Sequence, residues 1–255
     1  MPIWDPTQYL RFGDERLRPA LDLLTRIPLE APSVVYDLGC GPGTVTVLLK
    51  ERWPEARITG VDSSATMLQR ARELDASIAW RESDLSTWEP DTPADLLFSN
   101  AVMHWLDGHE VLFPRLVAGL KPGGVLAVQM PNNFAAPTHT AIAETIRAGP
   151  WRDRLEPHLR ESPVLDPSVY YTALRPKTTS LDLWETTYFH VLEGENPVVE
   201  WTKGSALRPF LDRLEEAESQ AFLEAYGARI RKAYPRLNDG KTVLPFKRLF
   251  FIAVK

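Results

Sequence analysis

Residues 34–43 read Val-Val-Tyr-Asp-Leu-Gly-Cys-Gly-Pro-Gly. A β-branched run leads to an acid, Asp37, and glycines follow at alternate positions, Gly39, Gly41 and Gly43. The run Val34–Leu38 suits a buried parallel strand. Glycines just past its end let the backbone turn sharply and approach a ligand, because no Cβ stands in the way. A helix-like segment, Thr44 to Arg52, comes next. Its N-terminus would point amide hydrogens at that ligand. The stretch therefore reads as a loop for a nucleoside cofactor.

The dinucleotide fingerprint, counted from Gly39, puts its third glycine at position 44, which is Thr44 here. An acid at the strand end would also repel a pyrophosphate. S-Adenosylmethionine carries an ammonium, a carboxylate and a sulfonium instead, and an acid beside a glycine turn suits that tail. Further along, Arg57–Asp62 reads as a second strand ending in an acid. Asp62 lies 19 residues past Gly43, close to the ~20 at which nucleotide folds place a ribose-binding acid. Asp84 follows a strand-like run, Ser77–Trp80. It would accept from an adenine amino group while the Leu85 amide meets a ring nitrogen. Three acids at successive strand ends argue against a chance glycine turn.

Strand and helix patterns alternate from residue 34 to about 147, which predicts a parallel sheet with helices on both faces. Helices are expected at 44–52, 64–74, 108–119 and 138–147, and strands near 34–38, 57–62, 77–80, 94–99 and 124–130. Leu181–Leu192 and Phe246–Val254 read as later strands, and Glu215–Tyr234 as a helix. Seven prolines between 131 and 176 oppose long regular elements there.

These positions resemble the class I S-adenosylmethionine-dependent methyltransferases. The resemblance implies a Rossmann-like, doubly wound α/β fold. Its seven-stranded sheet would be mostly parallel with the last strand antiparallel, and helical cap insertions would be added. It implies one domain over 1–255, with a lid segment at 1–30 and substrate insertions at 131–180 and 195–240. It implies cofactor contacts from Asp37, Gly39, Gly41, Gly43, Asp62, Ser63, Met67, Asp84, Leu85 and Asn100. The run Asp95–Asn100 looks like the fourth strand, whose end faces the sulfonium, so His104 and Trp105 just beyond it would position the reacting groups.

Signatures spread along the whole chain are similar to those of trans-aconitate 2-methyltransferases. They are Tyr9-Leu-x-Phe-x-x-Glu-Arg-x-Arg-Pro19, Val128-Gln-Met-Pro-Asn-Asn133, Pro137-Thr-His139, Tyr170-Tyr171 and Gly204-Ser-Ala-Leu-Arg-Pro209. The likeness implies esterification of one carboxylate of a small tricarboxylate. Arg208 is the first choice to grip a substrate carboxylate, since a guanidinium does so bidentately. Arg16, Tyr9, Lys203, His139, Tyr170 and Tyr171 follow. A carboxylate is already ionised near neutral pH, so no acid–base residue is required, and proximity and orientation supply the rate.

Composition bounds the rest. The 255 residues carry a net charge of −5, without a Lys/Arg run, which disfavours nucleic acid as partner. The single cysteine, Cys40, allows no internal disulfide, and no metal site is expected. With no signal-peptide pattern and no membrane-length apolar run, a cytoplasmic monomer acting on a small molecule is expected. Rival readings are a methyltransferase of another small acid, of an acyl-carrier-linked carboxyl or of a quinone precursor, the last needing His104 as base. A nicotinamide dehydrogenase and a non-catalytic S-adenosylmethionine-binding protein are the readings from other classes.

Overall fold

A computed structural model describes residues 17–255. Tyr9 and Arg16, and with them residues 1–16 of the expected lid segment, lie outside the described residues. The strands are β1 (Val34–Leu38), β2 (Arg57–Asp62), β3 (Ala79–Glu82), β4 (Ala94–Asn100), β5 (Leu120–Pro131), β6 (Ser180–Leu192) and β7 (Thr242–Val254). The helices are α1 (Arg18–Thr25), α2 (Thr44–Arg52), α3 (Ala65–Leu74), α4 (His109–Ala118), α5 (Pro137–Ala148), α6 (Arg152–Leu155), α7 (Pro167–Leu174), α8 (Pro197–Lys203), α9 (Arg208–Leu211) and α10 (Glu216–Ala233).

The sheet runs β3-β2-β1-β4-β5-β7-β6. β1 pairs in parallel with β2 on one side and with β4 on the other, and β3 and β5 extend the parallel set. The amide of Gly123 donates to the Lys255 carbonyl and that of Asn132 to the Lys247 carbonyl, both at 2.9 Å. One index rises as the other falls, so β7 is antiparallel to β5. The expected fold is the observed one. The third strand begins two residues late, because the Ser77 amide and hydroxyl turn back onto the Asp75 carboxylate and leave Ser77 outside the ladder. The order reverses between β1 and β4, and the crevice past the carboxyl ends of strands at such a switch point is where doubly wound sheets take ligands.

The opposite ends of these strands share one carboxylate. Asp95 Oδ2 accepts from the amides of Ser33 and Val34 at 2.9 and 2.8 Å and from Lys121 Nζ at 2.7 Å. It thereby joins the starts of β1, β4 and β5. Burial pushes its pKa up, but the Lys121 bond and the two amides outweigh that and hold it below the usual range.

The chain divides into two compact units. The first holds the described residues up to Pro131 with 163–186 and 249–255; the second holds 132–162 and 187–248. The expected insertion at 131–180 is thus split. Its later part carries α7, whose Tyr170 and Leu174 lie in the first unit's core with Phe113, Leu126 and Phe251. In the second unit, α5, α8 and α10 bury Ile142, Val199, Phe222 and Tyr226 together, with Trp151 from just before α6. Tyr226 Oη reaches the Thr138 carbonyl at 3.0 Å, and Trp151 Nε1 the Thr145 carbonyl at 3.0 Å, so both aromatic polar tips are satisfied inside that core. Among the described residues no helix is long and apolar enough to cross a membrane.

Asp95→Ala removes a charge-assisted link to three strands. It is expected to lower stability by about 2–3 kcal/mol, read in thermal unfolding as a fall in Tm of about 4–12 °C. A Tm within 1 °C of the parent, on that same scale, would show that the link does not hold the strands.

Candidate active site

The glycine loop is built as a turn with two walls and one open side. Gly39, Gly41 and Gly43 have φ of 76°, 54° and 86°. A Cβ on Gly39 would lie 2.4 Å from the Val102 side chain, and one on Gly43 would lie 2.6 Å from the Trp80 ring. Those two glycines are required by close approach. Among the described residues a Cβ on Gly41 would meet nothing within 4 Å, so these residues leave its side of the loop free for a ligand. The amides of Gly39 and Cys40 both donate to the Val61 carbonyl, at 2.7 and 3.0 Å. No side chain caps α2, whose N-cap is Gly43, so its first-turn amides carry the positive end of the helix dipole.

Asp62 ties this loop to the next crossover. Its Oδ2 accepts from the Gly41 amide at 2.9 Å and its Oδ1 from the Ser64 amide at 2.8 Å. Ser64 in turn caps α3, its Oγ accepting from the Met67 amide at 3.3 Å. Each Asp62 oxygen keeps lone-pair capacity beyond its amide, which fits a diol. Ser63 and Met67 are exposed beside it.

Asp37 sits deeper than its place in the sequence suggests. It is 2 % exposed, and its Oδ2 accepts from Thr46 Oγ1, in the first turn of α2, at 2.6 Å. Burial pushes its pKa up to about 7; the Thr46 bond opposes this and the Asp62 charge adds to it. Burial likewise pushes the Cys40 thiol up, away from any nucleophilic form. Asp84 is exposed and holds an Asx turn through the Ser86 amide at 2.8 Å, which brings its carboxyl below the usual range. Leu85 beside it is buried, and Arg115 donates to the Leu85 and Ser86 carbonyls.

The end of β4 is strained. Ala101 has φ 57°, the one positive value at a non-glycine among the described residues; such residues cluster at functional sites. Asn100 Oδ1 beside it is buried with no hydrogen-bond partner among the described residues. An orphaned acceptor next to an open glycine turn fits a ligand that brings an N–H donor. A single turn, Met103–Trp105, follows and presents His104 and the half-exposed Trp105. His109 pins that turn from below, with its Nε2 donating to the Met103 carbonyl at 3.0 Å. Its Nδ1 then accepts from Tyr170 Oη at 2.8 Å, and Tyr170 Oη accepts from the Leu165 amide at 2.9 Å. Burial lowers the His109 pKa and keeps the ring neutral, as this tautomer requires.

This chain of bonds corrects one expectation. Tyr170 is 1 % exposed and its hydroxyl is committed to His109 and Leu165, so it is a core residue and not a substrate group. Tyr171, one position on, is 52 % exposed. The remaining substrate candidates lie in the second unit. His139 packs 4.9 Å from the Phe134 ring and is pulled by burial to a pKa of about 4, hence neutral at pH 7. Lys203 pairs with Glu200 at 2.7 Å. Arg208 stands 74 % exposed with Asp212 at 3.6 Å. Thr46, Trp80, Val102 and His109 all shape the site and none was marked by the sequence, because each acts through a residue distant in the chain.

Known proteins agree with this geometry. Residues 35–124 match the family model described as "Methyltransferase domain". Trans-aconitate 2-methyltransferase of Azoarcus sp. (strain BH72) is 49% identical over 255 residues, covering 100% of both chains. That of Rhodopseudomonas palustris (strain BisB18) is 49% identical over 257 residues, again covering 100% of both. The chain belongs to the trans-aconitate 2-methyltransferase family. Solved structures share the fold at low identity. The YcgJ protein of Bacillus subtilis superposes with a TM-score of 0.58 at 14% identity, covering 93% of this chain and 98% of that one. Phosphoethanolamine N-methyltransferase 2 of Haemonchus contortus, in complex with S-adenosyl-L-methionine, gives 0.55 at 17% identity, covering 93% of this chain and 52% of that longer one.

The buried Asp37 sets a pH dependence. Its folded pKa lies above its unfolded value of 3.8, so between pH 3.8 and about 7 the unfolded chain loses the proton first. Stability contributed by this group falls as pH rises through that window, by up to about 1.4 kcal/mol per pH unit, and is level above it. Asp37→Asn should therefore gain stability relative to the parent from pH 4 to 7 and hold that gain at pH 8. Denaturant unfolding at several pH values measures this, and a difference that does not change with pH would contradict it.

Proposed function

We propose that this chain is an S-adenosylmethionine-dependent O-methyltransferase that forms the monomethyl ester of trans-aconitate. The observation that carries the reading is the Gly41–Asp62 hydrogen bond, which leaves one open face on a glycine loop flanked by acids, in a chain 49% identical end to end to enzymes of that name. When bound, S-adenosylmethionine supplies an electrophilic methyl group on a positively charged sulfur.

The chain's own residues bind and orient. Asp62 accepts the ribose hydroxyls, with Ser63 and Met67 alongside. Asp84 and Leu85 take the adenine edge. The Gly39–Gly43 turn receives the amino-acid tail, Asp37 supplies negative potential beneath it, and Asn100 Oδ1 accepts from its ammonium. His104 and Trp105 shield the reacting centre from water. Lys203 and Arg208 of the second unit, with His139, Tyr171, Tyr9 and Arg16, are the candidates to hold the acid. The substrate oxygen enters already ionised, so forming the O–CH3 bond moves no proton and needs no base. The net charge of −5 supports a free small acid over nucleic acid as partner. The same reading takes the protein as a cytoplasmic monomer.

Two measurements test this. Asp62→Ala should weaken S-adenosylhomocysteine binding tens- to several-hundredfold in calorimetry, about 2–4 kcal/mol. An unchanged Kd would remove Asp62 from the site. With saturating donor, kcat on trans-aconitate should change less than about threefold from pH 6.5 to 8.5, and His104→Gln should stay within about tenfold of the parent. A fall of ~10²–10⁴ is the signature of a general base and would favour a hydroxyl or carbon nucleophile, as in a quinone precursor.

A further inference from the structure

The turn after β3 is held from outside by a side chain that the motifs did not point to. Residues 83–93 cross from β3 to β4. Arg115, in the last turn of α4, donates through Nη2 to the Ser86 carbonyl at 2.6 Å and to the Leu85 carbonyl at 3.2 Å. The end of α4 meets the same crossover again further along, where a Cβ on Gly119 would lie 2.7 Å from Pro90. A trans peptide is planar, with its carbonyl and amide on opposite sides. With the Leu85 and Ser86 carbonyls turned to Arg115, the Ser86 and Thr87 amides face the other way. The first donates to Asp84 Oδ1 at 2.8 Å and the second to the Asp84 carbonyl at 3.2 Å. That last bond turns the Asp84 carbonyl into the turn and so turns the Leu85 amide out of it. The Leu85 amide has no hydrogen-bond partner among the described residues, while its side chain is anchored in the first unit's core. The Ser83 amide donates to the Asp62 carbonyl at 3.0 Å, which ties the start of the turn to the acid that faces the glycine loop.

We propose that Arg115 is a positioning residue that sets the base selectivity of the cofactor site, by fixing the peptides that present the Asp84 carboxylate and the Leu85 amide. The inference rests on the proposed function, in which those two groups take the adenine edge. Adenine offers a 6-amino donor beside the N1 acceptor. A carboxylate and an amide N–H on consecutive residues match that pair. Hypoxanthine has a 6-oxo acceptor beside an N1–H donor, so it sets like against like at both contacts. A site of this kind rejects the wrong base because its polar groups are left unpaired. It does so only while their directions are held. The Leu85 and Ser86 peptides lie in neither helix nor strand, so no ladder fixes their rotation. A charge-assisted bond from one guanidinium nitrogen to both carbonyls does.

The test reads selectivity, which a purely structural role would not move. Calorimetric Kd values for S-adenosylhomocysteine and its 6-oxo analogue S-inosylhomocysteine are measured on the full chain and on Arg115→Met and Arg115→Gln. The parent should prefer the adenine form by at least about a hundredfold. Arg115→Met should cut that preference at least about fivefold, chiefly by weakening the adenine form. Arg115→Gln is too short to bridge both carbonyls and should do the same. A smaller cut in the Met variant overturns the proposal, and so does a rise of both Kd values by one factor, the mark of a general loosening. Should the Met variant not fold, the Gln variant carries the test under the same thresholds. A parent that binds both analogues alike removes Asp84 and Leu85 from the adenine edge and overturns the proposal, while the proposed function stands. A parent that binds neither overturns both.

Discussion

The carboxylate of Asp62 is the constraint on which the first unit's site depends. One oxygen fixes the Gly41 amide and the other the Ser64 amide. The loop after β1 and the helix start after β2 are thereby set relative to each other by a single planar group. The Val61 carbonyl next to it takes the Gly39 and Cys40 amides. Around this joint, Val102 and Trp80 fill the places that side chains on Gly39 and Gly43 would need. The loop is therefore held from behind by packing and from the side by hydrogen bonds, and among the described residues only the Gly41 face stays open. Preorganisation of this kind means that a ligand does not have to order the turn as it binds.

The same joint concentrates negative charge. Asp37 and Asp62 raise each other's potential, and Asp37 answers by holding its proton to about pH 7 while Thr46 donates to it. Two acids this close to each other repel, which a cationic guest relieves. That is the physical content of an acid at a glycine turn, and it is the property that separates this loop from one made for a pyrophosphate.

Further out, the fold spends buried polar groups on rigidity. His109, Tyr170 and the Leu165 amide form one chain of hydrogen bonds under the Met103–Trp105 turn. Asp95 does the equivalent at the opposite ends of β1, β4 and β5. The second unit has its own core and its own satisfied tips in Tyr226 and Trp151.

Much of this was legible in the chain. The span of α2, the run of β1 and β2, and the left-handed turn of Gly39, Gly41 and Gly43 follow from local rules: hydrophobic runs, a glycine wherever φ must be positive, a serine where α3 needs a cap. The full-length signatures likewise carried the family. What stayed hidden was burial, because burial depends on which distant residues arrive. Asp37 reads as a strand-end acid facing the ligand until α2 sets Thr46 against it and buries it. Tyr170 reads like its neighbour Tyr171 until His109 and Leu165 claim its hydroxyl. Arg208 stands in a conspicuous motif and ends up exposed, while Arg248, in the strand read at Phe246–Val254, is carried inside by β7 with its guanidinium over the Phe246 ring. Sequence determined the elements and their order, since backbone preferences are local; tertiary structure alone decided which charged and polar groups leave water, since that is set by packing between segments far apart in the chain.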